Sequence, residues 1–385
     1  NSINNTDDHK LSLQNIGYIQ TIHIDNPNGW NRFNYSFSYN KKRNLNRTIN
    51  INGYNHESSM ANSFLNNAQG NNINELNGFS EYLAYYTYLI NPIDSNGTDY
   101  TLGINSIGQN QSFNSYEYGS IDEYDISISA AYNDFVFVGT SLTMHTITFG
   151  QYNRYNEDQF NIENATSGFD DLTAFDYNQD LNVTGSGINF KIGTIIKPAY
   201  FIRLGLSYHS KTYYEIEETY ITNMSTRFSD GFSETATSDL NYFDYELKTP
   251  SKSIGSLAVV FAKRGLVTLD YESINYGASN LSSYIYSFSQ ENQNIINFYR
   301  RTNNKKIGLE WKAKNISFRT GYAMFGSPFN NNLNDGEREY LSAGIGFQSG
   351  QYIFDFGVIN CLNNEEYILY NDPTINNESQ VIDIR

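Results

Sequence analysis

Few residues of this chain have types and spacing that suggest chemistry. Asp176, Asn178 and Asp180 alternate with other residues, and carboxylate and amide oxygens at this spacing are typical of a Ca²⁺ loop. The other positions of such a loop, including a distal glutamate, are missing from the sequence. We therefore favour alternation of these side chains on the wet face of a strand over metal binding.

Ser207 and His209 would share one face of a strand, which raises the alternative of a hydrolase. Nucleophilic catalysis also requires an orienting third group beside this pair, and the sequence does not indicate one. The chain has only five histidines and one cysteine, without a ligand-like cluster. We expect no enzyme activity, no catalytic metal and no cofactor.

Charged residues of both signs interrupt stretches that otherwise alternate between apolar and polar types. These charges either orient an anionic ligand or neutralise one another across neighbouring strands, and the second role is the commoner one in sheets. The candidates are Arg203, Asp270, Glu272 and Arg319.

The composition is polar and acidic but unusually aromatic. The net charge is -16 over 385 residues, which disfavours nucleic acid as a partner because phosphates require a basic face. Aromatic residues make up 16% and charged residues 17% of the chain, and the mean hydropathy is -0.54. No stretch approaches the roughly 18 consecutive apolar residues of a membrane helix.

The strongest pattern in the sequence is a period of two. From Tyr200 to His209, every second residue is apolar. The apolar set is Tyr200, Ile202, Leu204, Leu206 and Tyr208, and the set between them is Phe201, Arg203, Gly205, Ser207 and His209. Such alternation predicts a strand with different environments on its two faces. Similar stretches recur at about 33–39, 124–132, 188–193, 306–312, 316–322, 341–347 and 352–358.

This alternation predicts an all-β fold, an antiparallel transmembrane β-barrel. A soluble sandwich is the alternative, but the apolar faces end in Tyr, Phe or Trp, as at a membrane interface. We interpret residues 1–385 as a single barrel, with about fourteen strands in the intact protein because such barrels have even strand numbers. We also expect a hatch and first strand to precede residue 1 and the last strand to be truncated.

Short turns alternate with long connections, as expected for periplasmic and extracellular ends. The long connections are predicted at about 40–120, 150–175, 212–238, 276–294, 326–336 and 362–378.

The connection at about 46–120 shows helical spacing and is predicted to be an extracellular helical loop. Apolar residues step by three and four from 76 to 90 and again from 60 to 68, which defines two apolar helix faces. We hypothesise that these faces form a low-affinity hydrophobic groove, and packing against each other or the barrel rim is the alternative. The predicted groove residues are Met60, Phe64, Leu76, Phe79, Leu83 and Tyr86.

Two segments resemble the central hairpins of FadL-type outer-membrane transporters. They are Gly185–Pro198 with Phe201–His209, and Leu247–Pro250 with Ser256–Phe261 and Leu269–Glu272. The resemblance implies a fourteen-stranded barrel, a hatch inside the lumen, and extracellular helices that catch long-chain fatty acids or aromatic hydrocarbons. It also implies lateral release into the membrane, although the Asn-Pro-Ala motif of the hatch does not occur here.

Two functions remain open at this stage. The first is passive transport of small hydrophobic molecules through the outer membrane of a Gram-negative cell, with membrane lipid and the hydrophobic ligand as partners. The second is a structural or accessory subunit of a larger outer-membrane complex, such as a secretion machine, with protein partners.

Overall fold

The structure is a computed structural model of the chain. It describes residues 2–3, 12–26, 28–104, 108–160, 172–262, 264–330, 336–363, 365–370 and 381–384.

Most of the described chain is β-strand, with three short helices between strands. The helices are α1 Met60–Ala68, α2 Glu81–Tyr86 and α3 Ser289–Phe298, and 3₁₀ turns occur at Ile73–Glu75 and Tyr276–Ala278. The strands are β1 Ser2–Ile3, β2 Asn15–His23, β3 Trp30–Asn44, β4 Arg47–Asn55, β5 Ile90–Pro92, β6 Tyr100–Leu102, β7 Gln109–Tyr132, β8 Val136–Asp158, β9 Leu172–Ala199, β10 Ile202–His209, β11 Tyr213–Phe228, β12 Ser233–Thr237, β13 Asn241–Lys248, β14 Lys252–Phe261, β15 Gly265–Asn275, β16 Asn280–Ser282, β17 Arg301–Ala313, β18 Ile316–Phe325, β19 Arg338–Ser349, β20 Tyr352–Asn363, β21 Glu365–Ile368 and β22 Val381–Ile384. None of the helices in these ranges is long and apolar enough to cross a membrane.

Eighteen of the described strands form one sheet with antiparallel pairing, and β5 with β6 and β21 with β22 form two separate two-stranded sheets. β9 is long enough to pair with two later strands. β10 pairs with its residues 191–199, which we call its lower part, and β11 pairs with residues 172–188, its upper part. β10 in turn pairs with β14, and β11 pairs with β13. Pro250 lies between β13 and β14, where its missing N–H and fixed φ favour a break in the ladder.

Alternation along the strands gives the sheet an apolar outward face. On β10, Leu204, Leu206 and Tyr208 are 46%, 66% and 46% exposed, while Gly205 and Ser207 between them are half-buried. The same outward rows cross β3, β7, β9, β15, β17 and β19, so they form a continuous exposed band. Apolar surface of this extent on a sheet is typical of a wall that faces hydrocarbon.

Several strands extend far beyond this band. β9 has 28 residues, which corresponds to about 90 Å of extended chain, whereas a tilted membrane strand needs only about 9–11 residues. β7, β8 and β11 extend in the same direction and pair with it or with each other. The upper strands therefore build a second layer of structure above the apolar band.

The two ends of the sheet approach each other. Arg43 of β3 lies within electrostatic range of Tyr276 and Tyr340, which belong to the second half of the chain. The Tyr370 hydroxyl, after β21, accepts hydrogen bonds from Asn55 at 3.1 Å and Gln111 at 2.9 Å. Among the described residues β2 pairs with β3 and β20 pairs with β19, and no ladder joins β2 to β20. The predicted fold class, an antiparallel all-β barrel, is confirmed.

Two local predictions from the sequence are wrong. The connection predicted at about 212–238 consists instead of β11 and β12, which extend the wall upward. The continuous helical face predicted from 76 to 90 is interrupted, because the Asn77 side chain accepts the N–H of Phe79 at 2.9 Å and only Glu81–Tyr86 is α-helical. Tyr88, with φ of 62°, ends this segment in the left-handed region.

Candidate functional site

Helix α1 is held at its start by two capping groups. The Ser59 hydroxyl accepts the N–H of Ala61 at 3.1 Å, as an N-cap serine does. The Glu157 carboxylate accepts the N–H of Met60 at 2.8 Å. The first turn is therefore fixed to the upper end of β8, and Met60, Phe64 and Ala68 face the same side of the helix.

Glu157 is fully buried and lies at the centre of this attachment. It also accepts hydrogen bonds from the Tyr155 hydroxyl at 2.6 Å, the Gln111 side-chain amide at 2.9 Å and the Ser59 hydroxyl. None of these partners carries a positive charge, and burial raises the pKa of the Glu157 carboxyl. The network ties α1 to β7 and β8 through polar groups that are enclosed in an apolar setting.

The helices between β4 and β7 pack into a closed apolar core. We call this segment, residues 56–104, the cap. Its core is completed by strand residues such as Phe113, Tyr155 and Tyr177, which share the inward face of the wall with the lumen residues below. The cap therefore lies against the inner face of the upper wall, at the mouth of the barrel.

The six predicted groove residues fall into two groups. Met60, Phe64, Leu76 and Leu83 are at most 9% exposed and belong to the closed core. Phe79 is half-buried, and Tyr86 is 52% exposed. Ligand binding by this set stays a prediction, and only Phe79 and Tyr86 are accessible in this conformation.

Phe79 lies where the cap meets the wall. Its carbonyl oxygen accepts hydrogen bonds from the Tyr177 hydroxyl and the Thr222 hydroxyl, both at 2.8 Å. Its ring lies 5.3 Å from that of Tyr220, centre to centre. A further bond runs from the Thr226 hydroxyl to the carbonyl of Thr87 at 2.7 Å, so β9 and β11 hold both ends of α2.

A cluster of charges lies on the inward face below the cap, and the contacts within it were not predicted from the sequence. Glu123 pairs with Lys42 at 3.2 Å and with Lys191 at 3.4 Å, and Lys191 also reaches Asp125 at 3.2 Å. His145 is 3.6 Å from Glu123 and is buried against the ring of Tyr214. Each of these residues is an ordinary polar position of an alternating strand, and only the register brings them together.

The predicted inward-facing charges are mostly paired. Glu272 binds Lys252 at 3.0 Å and accepts the Asn304 amide at 2.7 Å. Asp270 accepts the hydroxyl of Ser256. These contacts favour mutual neutralisation over ligand binding as the role of both carboxylates.

Near the lower end, Arg319 bridges two carboxylates. It donates to Glu310 at 2.6 Å and to Asp355. Arg203 is half-buried and forms no ion pair with another described residue. The inner wall thus presents few unpaired charges to a molecule that passes it.

The carboxylates of the possible Ca²⁺ site form ion pairs with arginines. Asp176 pairs with Arg227 at 2.6 Å, and Asp180 pairs with Arg154. In the described ranges there is no group of three or more metal-binding side chains close enough to hold an ion. Ser207 and His209 share the inward face of β10, and no hydrogen bond joins them among the described residues.

A second aromatic cluster, near α3, was not identified from the sequence. Phe243 and Tyr245 of β13 lie 5.9 Å and 5.8 Å from the ring of Phe288, and Tyr286 is 5.0 Å from it. Next to the cluster, Tyr284 and Ile285 are 102% and 77% exposed. Phe243 and Tyr245 share one face of β13, but their contacts with Tyr286 and Phe288 join segments about 40 residues apart, which a local pattern does not predict.

Comparison with solved structures gives two informative likenesses. A FadL homologue of Pseudomonas aeruginosa matches with a TM-score of 0.49 and 13% identity, over 91% of this chain and 71% of that one. The P. putida toluene transporter TodX matches with a TM-score of 0.45 and 11% identity, over 92% of this chain and 83% of that one. No family model and no curated protein matches the chain.

Proposed function

We propose that this protein is an outer-membrane barrel that passes small hydrophobic molecules across the membrane. The observation that carries the proposal is the position of the cap, an apolar core seated inside the mouth of a wall whose outer face is also apolar. A wet channel for polar solutes would instead have a polar and open mouth. Long-chain fatty acids or similar molecules are the substrate class we assign, with lateral release into the membrane.

Phe79 and Tyr86 are the proposed first contacts for the ligand. Both are accessible aromatic side chains of the cap, and the other groove residues, Met60, Phe64, Leu76 and Leu83, belong to its buried core. Aromatic side chains bind apolar molecules over a large area with little loss of rotamer freedom. A ligand held there would enter the core only if α2 moves relative to β11.

The test is uptake of a labelled long-chain fatty acid by cells that produce Phe79→Ala with Tyr86→Ala. Tyr82→Ala is the matched control, because Tyr82 is a 40% exposed aromatic residue of the same helix that is not in the predicted groove. We expect uptake to fall by about tenfold, which corresponds to about 1.4 kcal/mol of lost ligand contact. Unchanged uptake with a correctly folded barrel would remove this site.

A specific observation favours a second candidate function, a subunit of a larger outer-membrane complex. Tyr284 and Ile285 are almost fully exposed, and α3 presents Ile296 and Phe298 at 59% and 49% exposure. Exposed apolar side chains grouped on a loop and helix are typical of protein interaction sites. Gentle purification in mild detergent tests it, since a stoichiometric partner lost in Ile285→Asp would support it and its absence would contradict it.

A further inference from the structure

The outward face of β17 carries cations just above the apolar band. Arg301, Asn303 and Lys305 are exposed, and Thr302 and Asn304 between them are buried, so the first three point away from the lumen. Neither Arg301 nor Lys305 forms a salt bridge with another residue that the structure describes. The net charge of the protein is -16, which makes an unneutralised basic patch on this face a local exception.

A hollow in the wall lies directly beside Lys305. The ladder register places Leu206, Gly255, Tyr271 and Lys305 in one outward row across β10, β14, β15 and β17. A side-chain carbon added at Gly255 would have no atom within 4 Å. The resulting hollow is shallow and open to the outside, has a volume of about 700 Å³, and is lined mainly by Leu204, Leu206, Leu257, Leu269, Tyr271 and Ile307, with Lys305 at its margin.

The hollow continues along the wall as a groove. A second hollow of about 550 Å³ shares Leu206, Gly255 and Tyr271 with the first and extends towards Ile192 and Val138. Hydroxyl groups lie at its upper side, where Ser253 and Ser273 are opposite each other in the ladder. The apolar groove fits the acyl chain of a lipid. The hydroxyl groups and the cation at its upper margin fit a polar, anionic headgroup.

Another part of the outward wall has the opposite charge. Glu215 lies directly opposite Glu246 in the ladder, and Glu217 lies opposite Asp244. An anionic headgroup would be repelled there and attracted at Lys305. Charge therefore distinguishes one section of the wall for a lipid that carries phosphate.

We propose that the groove at Gly255 binds one phosphate-bearing membrane lipid, with its acyl chain in the hollow and its phosphate on Lys305. A flat wall meets interchangeable lipids, whereas a concave one gains additional dispersion contacts with a chain that stays in place. The Lys305 ammonium forms a charge-assisted hydrogen bond to the phosphate. Ser253, Ser273 and Asn303 supply neutral hydrogen bonds to the headgroup.

The experiment is native mass spectrometry of the protein in detergent with phosphatidylglycerol or with diacylglycerol of identical acyl chains, which lacks the phosphate. Lys305→Gln should lower the occupancy of phosphatidylglycerol by about fivefold and leave that of diacylglycerol unchanged, since only the phosphate contact is lost. Gly255→Leu should lower the occupancy of both lipids, because the leucine fills the hollow. The leucine at this position faces the hydrocarbon and does not touch the inner wall. A gel-mobility assay checks that each variant forms the folded barrel.

Two matched controls separate the site from general effects. Ala343→Leu places a leucine on the outward face of β19, and Arg264→Gln removes a cation from the short turn between β14 and β15. Both should retain wild-type occupancy. Equal binding of the two lipids by the wild type, or equal losses in the controls, would overturn the proposal. The proposal depends on the membrane location of the wall but not on transport, so fatty-acid uptake by Lys305→Gln should stay at the wild-type level.

Discussion

The carboxylate of Glu157 is enclosed without a counter-charge, which sets a pH dependence for the cap. Burial raises its pKa above the value in the unfolded chain, so between these two pKa values the folded state holds more protons than the unfolded state. Stability in that window therefore falls as pH rises, and it is greatest below the unfolded pKa. Hydroxyl partners such as Ser59 and Tyr155 accommodate both forms, because each can donate or accept.

We expect Glu157→Gln to flatten this dependence. The amide keeps an acceptor for the Met60 N–H and stays uncharged at every pH, so protection of α1 from hydrogen exchange should no longer fall as pH rises through the raised pKa of Glu157. Glu157→Leu removes the acceptor as well and should lower cap stability by about 1–3 kcal/mol at all pH values. Hydrogen exchange of Met60 and Ala61, measured from mildly acidic to neutral pH, provides the comparison. A wild-type profile without slope would contradict the buried-charge explanation.

At the residue scale, the sequence predicts which charged residues face inward better than it predicts which residues they contact. Arg203, Asp270, Glu272 and Arg319 were recognised as inward-facing charges because their parity is opposite to that of the apolar rows. Their partners depend on register between strands that are tens of residues apart, which parity alone does not fix. Glu157 gave no signal at all, since Asn156-Glu157-Asp158 has the composition of a solvated loop.

At the scale of strands, the β11–β13 hairpin contains like charges in direct opposition. Glu215 faces Glu246 and Glu217 faces Asp244, all on the outward side. Like charges directly opposite in an antiparallel pair are destabilising, and opposite charges contribute about 0.2–1 kcal/mol. The hairpin is therefore held by its backbone ladder and inward-facing residues such as Tyr214 and Ile216.

Glu246→Lys should stabilise this hairpin, because a lysine opposite Glu215 replaces repulsion with attraction. The expected gain is about 0.2–1 kcal/mol in low salt and should shrink as ionic strength rises, since the pair is exposed. Urea unfolding at two salt concentrations measures it. Glu57→Lys makes the same change in net charge at an exposed site outside a ladder and should give no comparable gain. An identical response in both variants would assign the effect to net charge and not to the pair.

The elements that the sequence predicted well are those with one face in a distinct environment. The strands of the apolar band follow a strict period of two, and α1 follows its three-and-four spacing from Met60 to Ala68. The buried face of β11 above the band mixes Met224 with Thr222 and Thr226, and its outward face is polar, so the apolar period weakens and the segment resembles a loop in composition. The helical spacing from Leu76 to Ile90 was misleading because a turn at Asn77 and Gly78 keeps the apolar residues on one side without a continuous helix.

At the scale of the whole molecule, one structure serves two apolar environments. The outward rows of the band form a surface for hydrocarbon, while the core of the cap is enclosed by the inner face of the same wall. Charge pairs such as Glu123 with Lys191 lie on the inner face of the wall, below the cap. The overall architecture was predictable because each strand repeats the same parity, but the cap required contacts among Phe64, Tyr177 and Met224 that no local pattern encodes.

The membrane location of the band can be tested with two outward positions of one strand. Leu309 lies within the apolar band of β17, and Asn303 lies above it on the same face. An arginine at the middle of the hydrocarbon costs about 2–4 kcal/mol, whereas one near the interface costs about 0–1 kcal/mol. Leu309→Arg should therefore reduce the free energy of unfolding from lipid vesicles by the larger amount and Asn303→Arg by the smaller. In a water-soluble fold both arginines would be solvated and their effects would be small and similar. Equal unfolding energies of the two variants would thus contradict a wall immersed in lipid, and with it both the transport proposal and the lipid site at Gly255.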